Sequence, residues 1–157
     1  MPGTPVSHDQ WIRINAIAGG LLLAAALVPL LLTPVLTDRR ARPVLLVICW
    51  VVAVGCASHA LIGIVQRIAS LSGALTIEYP FWLTVDRREA DLQALFFNEP
   101  WFLVEGLLWA GMAWTGPLRE SERLRRWWTG SVIGATAVAT TVGLLSAFGV
   151  IGSWIVG

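Results

Sequence analysis

Apolar residues run in long blocks along this chain, and polar residues fall in short clusters between them. Four blocks, residues 14–36, 43–66, 100–116 and 130–156, approach or exceed the length needed to cross a bilayer as helices. Arg13 and the Asp38-Arg39-Arg40 cluster bound the first, and Arg67 ends the second. The third is short, but the apolar Leu95-Phe96-Phe97 leads into it. Trp127 and Trp128 stand at the start of the fourth and Trp154 near its end, as interfacial anchors do. The pattern predicts an all-α integral membrane four-helix bundle, one domain over residues 1–157. The first block has too long an apolar core for a cleaved signal peptide, and no small-x-small site follows it, so it reads as a retained helix.

The segment 68–99 is too long to be structureless filler. Its second half, DRREADLQALFF, opens with Asp86 and places Glu89 three residues later, an Asp variant of the capping box. Leu92, Leu95 and Phe96 then share one helical face, which predicts a short amphipathic helix at the interface or over the bundle mouth. Its first half includes IEYPFWL, an aromatic stretch broken by Pro80, suited to headgroup level.

Arginine placement sets an orientation. The two short loops hold Arg39, Arg40, Arg42, Arg119, Arg123, Arg125 and Arg126, against Arg13, Arg67, Arg87 and Arg88 on the other side. Basic loops favour the cytoplasm, so both termini and the 68–99 loop are predicted outside.

Composition agrees with this picture and narrows the chemistry. The chain of 157 residues is 56% hydrophobic and 13% charged, with a mean hydropathy of +0.71. A net charge of +1 and the lack of a basic stripe in any soluble segment argue against nucleic acid as a partner. The motifs HExxH, paired CxxC, Walker loop, helix-opening GxGxxG and GxSxG are absent. Cys49 and Cys56 lie seven residues apart in one apolar block, about 10 Å on a helix, so they are expected to be free buried thiols. One intramembrane histidine and two such thiols make a poor metal site, and no metal or cofactor is expected.

The remaining polar residues carry the candidate site. Heptad spacing puts Cys49, Val52, Cys56, His59, Gly63 and Gln66 on one stripe of the second span. The matching stripe of the third is Asn98, Phe102, Glu105, Trp109 and Met112. With Asn15 on the first span, antiparallel neighbours gather Asn15, His59, Gln66, Asn98, Glu99 and Glu105 into one outer half of the membrane. Intramembrane ionisable groups pair with each other or line a wet interior, so a His59–Glu105 hydrogen bond is the first structural expectation. The bland alternative is a buried polar pair that only fixes helix register. Glu99 precedes Pro100 and reads as a helix N-cap, a role Asn98 could also fill. Trp50, Trp109 and Trp114 are deep, where packing is the commoner use of an indole.

The NEPWFLVEGLLW segment, the His-bearing second span and the four-span layout resemble small actinobacterial membrane proteins. A second resemblance is to the emopamil-binding (EXPERA) group of sterol isomerases and sigma-two-type receptors. It implies a lipophilic cavity lined by His59 and Glu105, although Gly63 stands where the family has an acidic residue one turn after the histidine. Two functions are expected from these residues. One is a cofactor-independent acid–base isomerase, cyclase or hydratase of an isoprenoid-, sterol- or polyketide-like molecule, with Glu105 and His59 catalytic and Asn15, Trp50, Gln66, Asn98, Glu99 and Trp109 around the substrate. The other is a non-catalytic lipophile-binding or accessory membrane subunit. A small-residue face on the fourth span, Gly130, Gly134, Ala137, Thr141, Leu145 and Phe148, suits packing within the bundle or a homo-oligomer.

Overall fold

The computed structural model describes residues 8–31, 40–77, 86–116, 118–119 and 121–151. Among them every regular element is helical: α1 (His8–Leu31), α2 (Arg42–Leu71), α3 (Arg87–Gln93), α4 (Glu99–Thr115) and α5 (Glu122–Ala147). A π turn, Ala94–Asn98, joins α3 to α4. The predicted IEYPFWL packing, Trp154, and the ends of the first and fourth spans fall outside the described residues.

The long helix α2 is the centre of the fold, packed most closely on α4 and next on α5, while α1 meets α4. Small residues let α2 and α4 approach. A Cβ built at Gly106 would stand 3.3 Å from the Ala53 carbonyl oxygen and the Ala57 nitrogen, so the backbones all but touch there. Trp109, Met112 and Ala113 of α4 then close over Cys49 and Ala53, with Leu118 of the following turn buried beneath them. On the other side of α2, the Ile62 side chain fills the space beside Gly143 of α5. Both α2 and α5 are long and apolar enough to cross a membrane.

Several element boundaries differ from the sequence expectation. The second helix runs to Leu71, five residues past Gln66, and stops where Gly73 adopts φ +80°. The Ala74 N–H then bonds the Ala69 carbonyl oxygen at 2.8 Å, the αL glycine stop of a Schellman motif. The fourth helix starts eight residues before Gly130, at Glu122, because Ser121 caps it by accepting from the Leu124 N–H at 3.2 Å. It ends at Ala147, short of the expected 156, with Gly149 at φ +71° and Val150 N–H bonding the Leu145 carbonyl oxygen.

Asp86 caps α3 as predicted, accepting from the Arg88 and Glu89 N–H groups. The helix it starts is not separate from the next span. Helix α3, the π turn and α4 form one continuous run from Arg87 to Thr115.

Candidate functional site

The π turn decides which residues of this run face α2. Pro100 has no N–H to bond the Phe96 carbonyl, and in a regular α-helix its ring would crowd that group. The backbone widens ahead of it, and the Glu99 N–H reaches the Ala94 carbonyl five residues back. One extra residue is thereby accommodated. The buried line runs Asp91, Ala94, Glu99, Glu105, Gly106 and Trp109.

Of the two neighbours expected near the substrate, Asn98 is exposed, whereas Glu99, read also as a cap, is 4% exposed. Asn98 stands at the cap position without a side-chain bond, in helical backbone. The predicted apolar face of the amphipathic helix holds only in part: Leu92 and Leu95 are half-buried, but Phe96 is 67% exposed and Asp91 is 1% exposed.

Glu99 reaches across to α2 and lays its carboxylate directly on Gly63, in the space a side chain there would need. His59 stands one turn earlier on α2, with Nε2 3.8 Å from Glu99 Oε2. This replaces the expected His59–Glu105 bond. Phe102 of α4 packs on the imidazole, ring centroids 4.3 Å apart. His59 occupies the edge of the α2–α4 seam, its side chain 58% exposed, because the seam follows Cys49, Ala53, Ala60 and Gly63. The heptad stripe drawn through His59 sits slightly rotated from that line. Oε2 of Glu99 is buried without a hydrogen-bond partner among the described residues. Such a carboxylate oxygen carries a desolvation cost that a donor would relieve.

Glu105 is buried deeper in the seam, within electrostatic reach of the Cys56 thiol. Trp109, one turn on, belongs to the packed cluster below. Trp50 is not at this site. Its Nε1–H donates to Ser131 Oγ at 3.0 Å and ties α2 to α5. Gln66 is half-buried on α2, two turns beyond His59. Asn15 lies within α1, and its side chain falls outside the described residues.

The sequence reading missed a second polar cluster above the first. Asp91 accepts from Ser70 Oγ at 2.5 Å and from Arg67 Nη1 at 3.1 Å. Arg87 donates to the same Ser70 hydroxyl and to the Leu75 carbonyl oxygen. These contacts fasten α3 to the last turn of α2. Arg67 and Ser70 lie i,i+3 at a helix end, and Asp91 interrupts an apolar face; those were the available signals. Among the described residues no group of three or more His, Cys, Asp or Glu is placed to hold a metal ion.

Of the two uses expected for the small-residue face of α5, bundle packing or a homo-oligomer, packing on α2 is not the one seen. Gly130, Gly134, Ala137 and Thr141 point away from α2, which instead meets Val132 and Gly143. No family model, curated protein or solved structure matches the chain.

Proposed function

We propose that this chain is an integral membrane protein, spanning the bilayer with its helices as a bundle, that receives a lipophilic small molecule at the Glu99–His59 pair. Its placement of polarity supports the membrane reading. Asp91, Glu99 and Glu105 face inward, while Phe96, Phe97, Leu107 and most of α5 face outward. A soluble monomer rarely exposes so much contiguous apolar surface or buries three carboxylates. In lipid both choices lower the free energy.

The observation that carries the site is the buried Glu99 Oε2 with no bonded donor among the described residues, next to a histidine that is half open to the outside. A hydroxyl on a lipophile would satisfy that oxygen, and the imidazole beside it could take or return a proton. Gly55, one turn before His59, leaves open space on the same flank for the ligand's apolar body. The reaction class that fits is cofactor-free isomerisation, cyclisation or hydration, with Glu99 and His59 in the acid–base roles. The resemblance to the EXPERA group gains one point here: Glu99 delivers a carboxylate to Gly63, where that family carries one on the histidine's own helix.

A second reading has its own observation. The tight seat of Glu99 on Gly63 would also serve a register pin between helices, in a non-catalytic membrane subunit. Comparing Glu99→Gln with wild type separates the two. On the ligand reading, detergent-purified wild type carries a specific lipophile by mass spectrometry, and the folded Gln variant loses it or accumulates it unreacted. If neither protein carries one and the variant only melts earlier, the pin reading replaces it.

A further inference from the structure

The end of the molecule opposite the Glu99 site has a different character. Here the start of α2, the end of α4 and the start of α5 converge, as the Trp128 Nε1–H bond to the Leu46 carbonyl oxygen shows. By sequence, the two segments there, residues 37–43 and 116–127, carry seven arginines against Asp38, Glu120 and Glu122. Their surroundings sort some of these arginines. Arg126 pairs with Glu122, and the Arg125 guanidinium lies 5.3 Å from the centroid of the Trp114 ring. Arg119 and Arg123 are exposed, four residues apart across the turn into α5.

Trp127 follows Arg123 by one helical turn on the same face of α5 and is 71% exposed. An indole so open beside a guanidinium is the side-chain pair expected at glycerol and headgroup depth, the guanidinium meeting phosphate and the ring lying above the acyl chains. Beyond Trp127 the face continues through Gly130 and Gly134, whose Cα atoms look onto open space, so no side chain blocks an acyl chain there.

We propose that Arg119, Arg123 and Trp127 form a binding site for the phosphodiester headgroup of an anionic phospholipid at the arginine-rich end of the protein. The site rests on the membrane reading and is independent of any ligand at Glu99. A polyanion such as RNA would also meet the arginines and stack on the exposed indole, but would have no use for the open apolar face beneath it.

The test uses the full chain in nanodiscs of phosphatidylcholine with and without phosphatidylglycerol, counting retained lipids by native mass spectrometry. Wild type is expected to retain phosphatidylglycerol over phosphatidylcholine, with a preference that falls as salt rises. Replacing both arginines (Arg119→Gln with Arg123→Gln) should cut that preference about 10- to 30-fold. The double Lys variant should keep most of it, and Arg88→Gln at the other end should keep all of it. Melting in pure phosphatidylcholine checks that each variant is folded. Should the Gln variant fail to fold, the salt series on wild type and the Lys variant decides the question. Equal retention of both lipids by wild type, or a Gln variant that keeps the preference, overturns the proposal. So does equal stabilisation by inorganic phosphate or by a short RNA in place of the lipid. If the protein does not insert in bilayers at all, the membrane reading fails first, and a carbonate wash of the same preparation reports that separately.

Discussion

Gly63 is the residue on which the site turns, because it leaves the space on α2 in which the Glu99 carboxylate lies. Any Cβ at this position would collide with both Glu99 oxygens. Gly63→Ala should therefore destabilise the protein by about 1–3 kcal/mol, the range for overpacking a close contact. Removing the obstruction should reverse it: the pair Gly63→Ala with Glu99→Ala should melt closer to wild type than the sum of the single effects. Thermal melts of the four proteins give the coupling, and strict additivity would mean that the two residues do not touch. Asp91 makes a second prediction at this scale. It accepts from Ser70 and Arg67 and is nearly inaccessible. Asp91→Ala strands an arginine and should cost about 3–5 kcal/mol, measured as a lower denaturation midpoint. A loss under 1 kcal/mol would show that the network does not hold α3 in place.

The helix from Arg87 to Thr115 shows how one residue of register changes a site. Sequence periodicity correctly gave the Asp86 cap and the Glu105–Trp109–Met112 face, because each depends on spacing within an uninterrupted stretch of helix. It placed Asn98 inside and did not align Asp91 and Ala94 with Glu99, because the π turn before Pro100 is invisible to a 3.6-residue count. Proline was read as the start of a helix, when it is a point inside a longer one. His59 meets Glu99 in place of Glu105 because Glu99 is the carboxylate that lies on Gly63, one turn beyond the histidine. A length change tests this account of the element. Deleting the exposed Phe97 together with Pro100→Ala removes the bulge and leaves Asp91 and Glu99 seven residues apart, still on one face. Inserting an alanine after Asn98 turns Glu99 away by about 100°. The deletion should keep a cooperative melt and the insertion should lose it; the opposite ranking would remove the π turn from the explanation.

At the scale of the whole molecule, the apolar blocks and turn chemistry made the helices legible, and their lateral arrangement was much less so. Helix α5 illustrates the difference. Its glycines suggested a face for bundle packing or self-association; Gly130 and Gly134 look outward, and the contact with α2 uses Gly143 and Val132. Small residues permit a close approach without saying which neighbour makes it. The same limit applies to Trp50, which binds α5 through Ser131 and not the polar site. The two polar clusters, with Arg67 and Arg87, sit toward one end of the α2–α4 seam and Arg119, Arg123, Arg125 and Arg126 lie at the other, a polarity that a bilayer would read as two faces.

The most direct test of this account is topology. In a chain with Cys49 and Cys56 replaced by alanine, single cysteines at Ser72 and at Arg119 are probed in intact cells with a membrane-impermeant maleimide, after the membranes are shown to retain the protein through alkaline carbonate. The account predicts retention in the pellet, labelling of Ser72→Cys in intact cells, and labelling of Arg119→Cys only once the membrane is opened. Release into the carbonate supernatant, or equal labelling of both positions in intact cells, would contradict it.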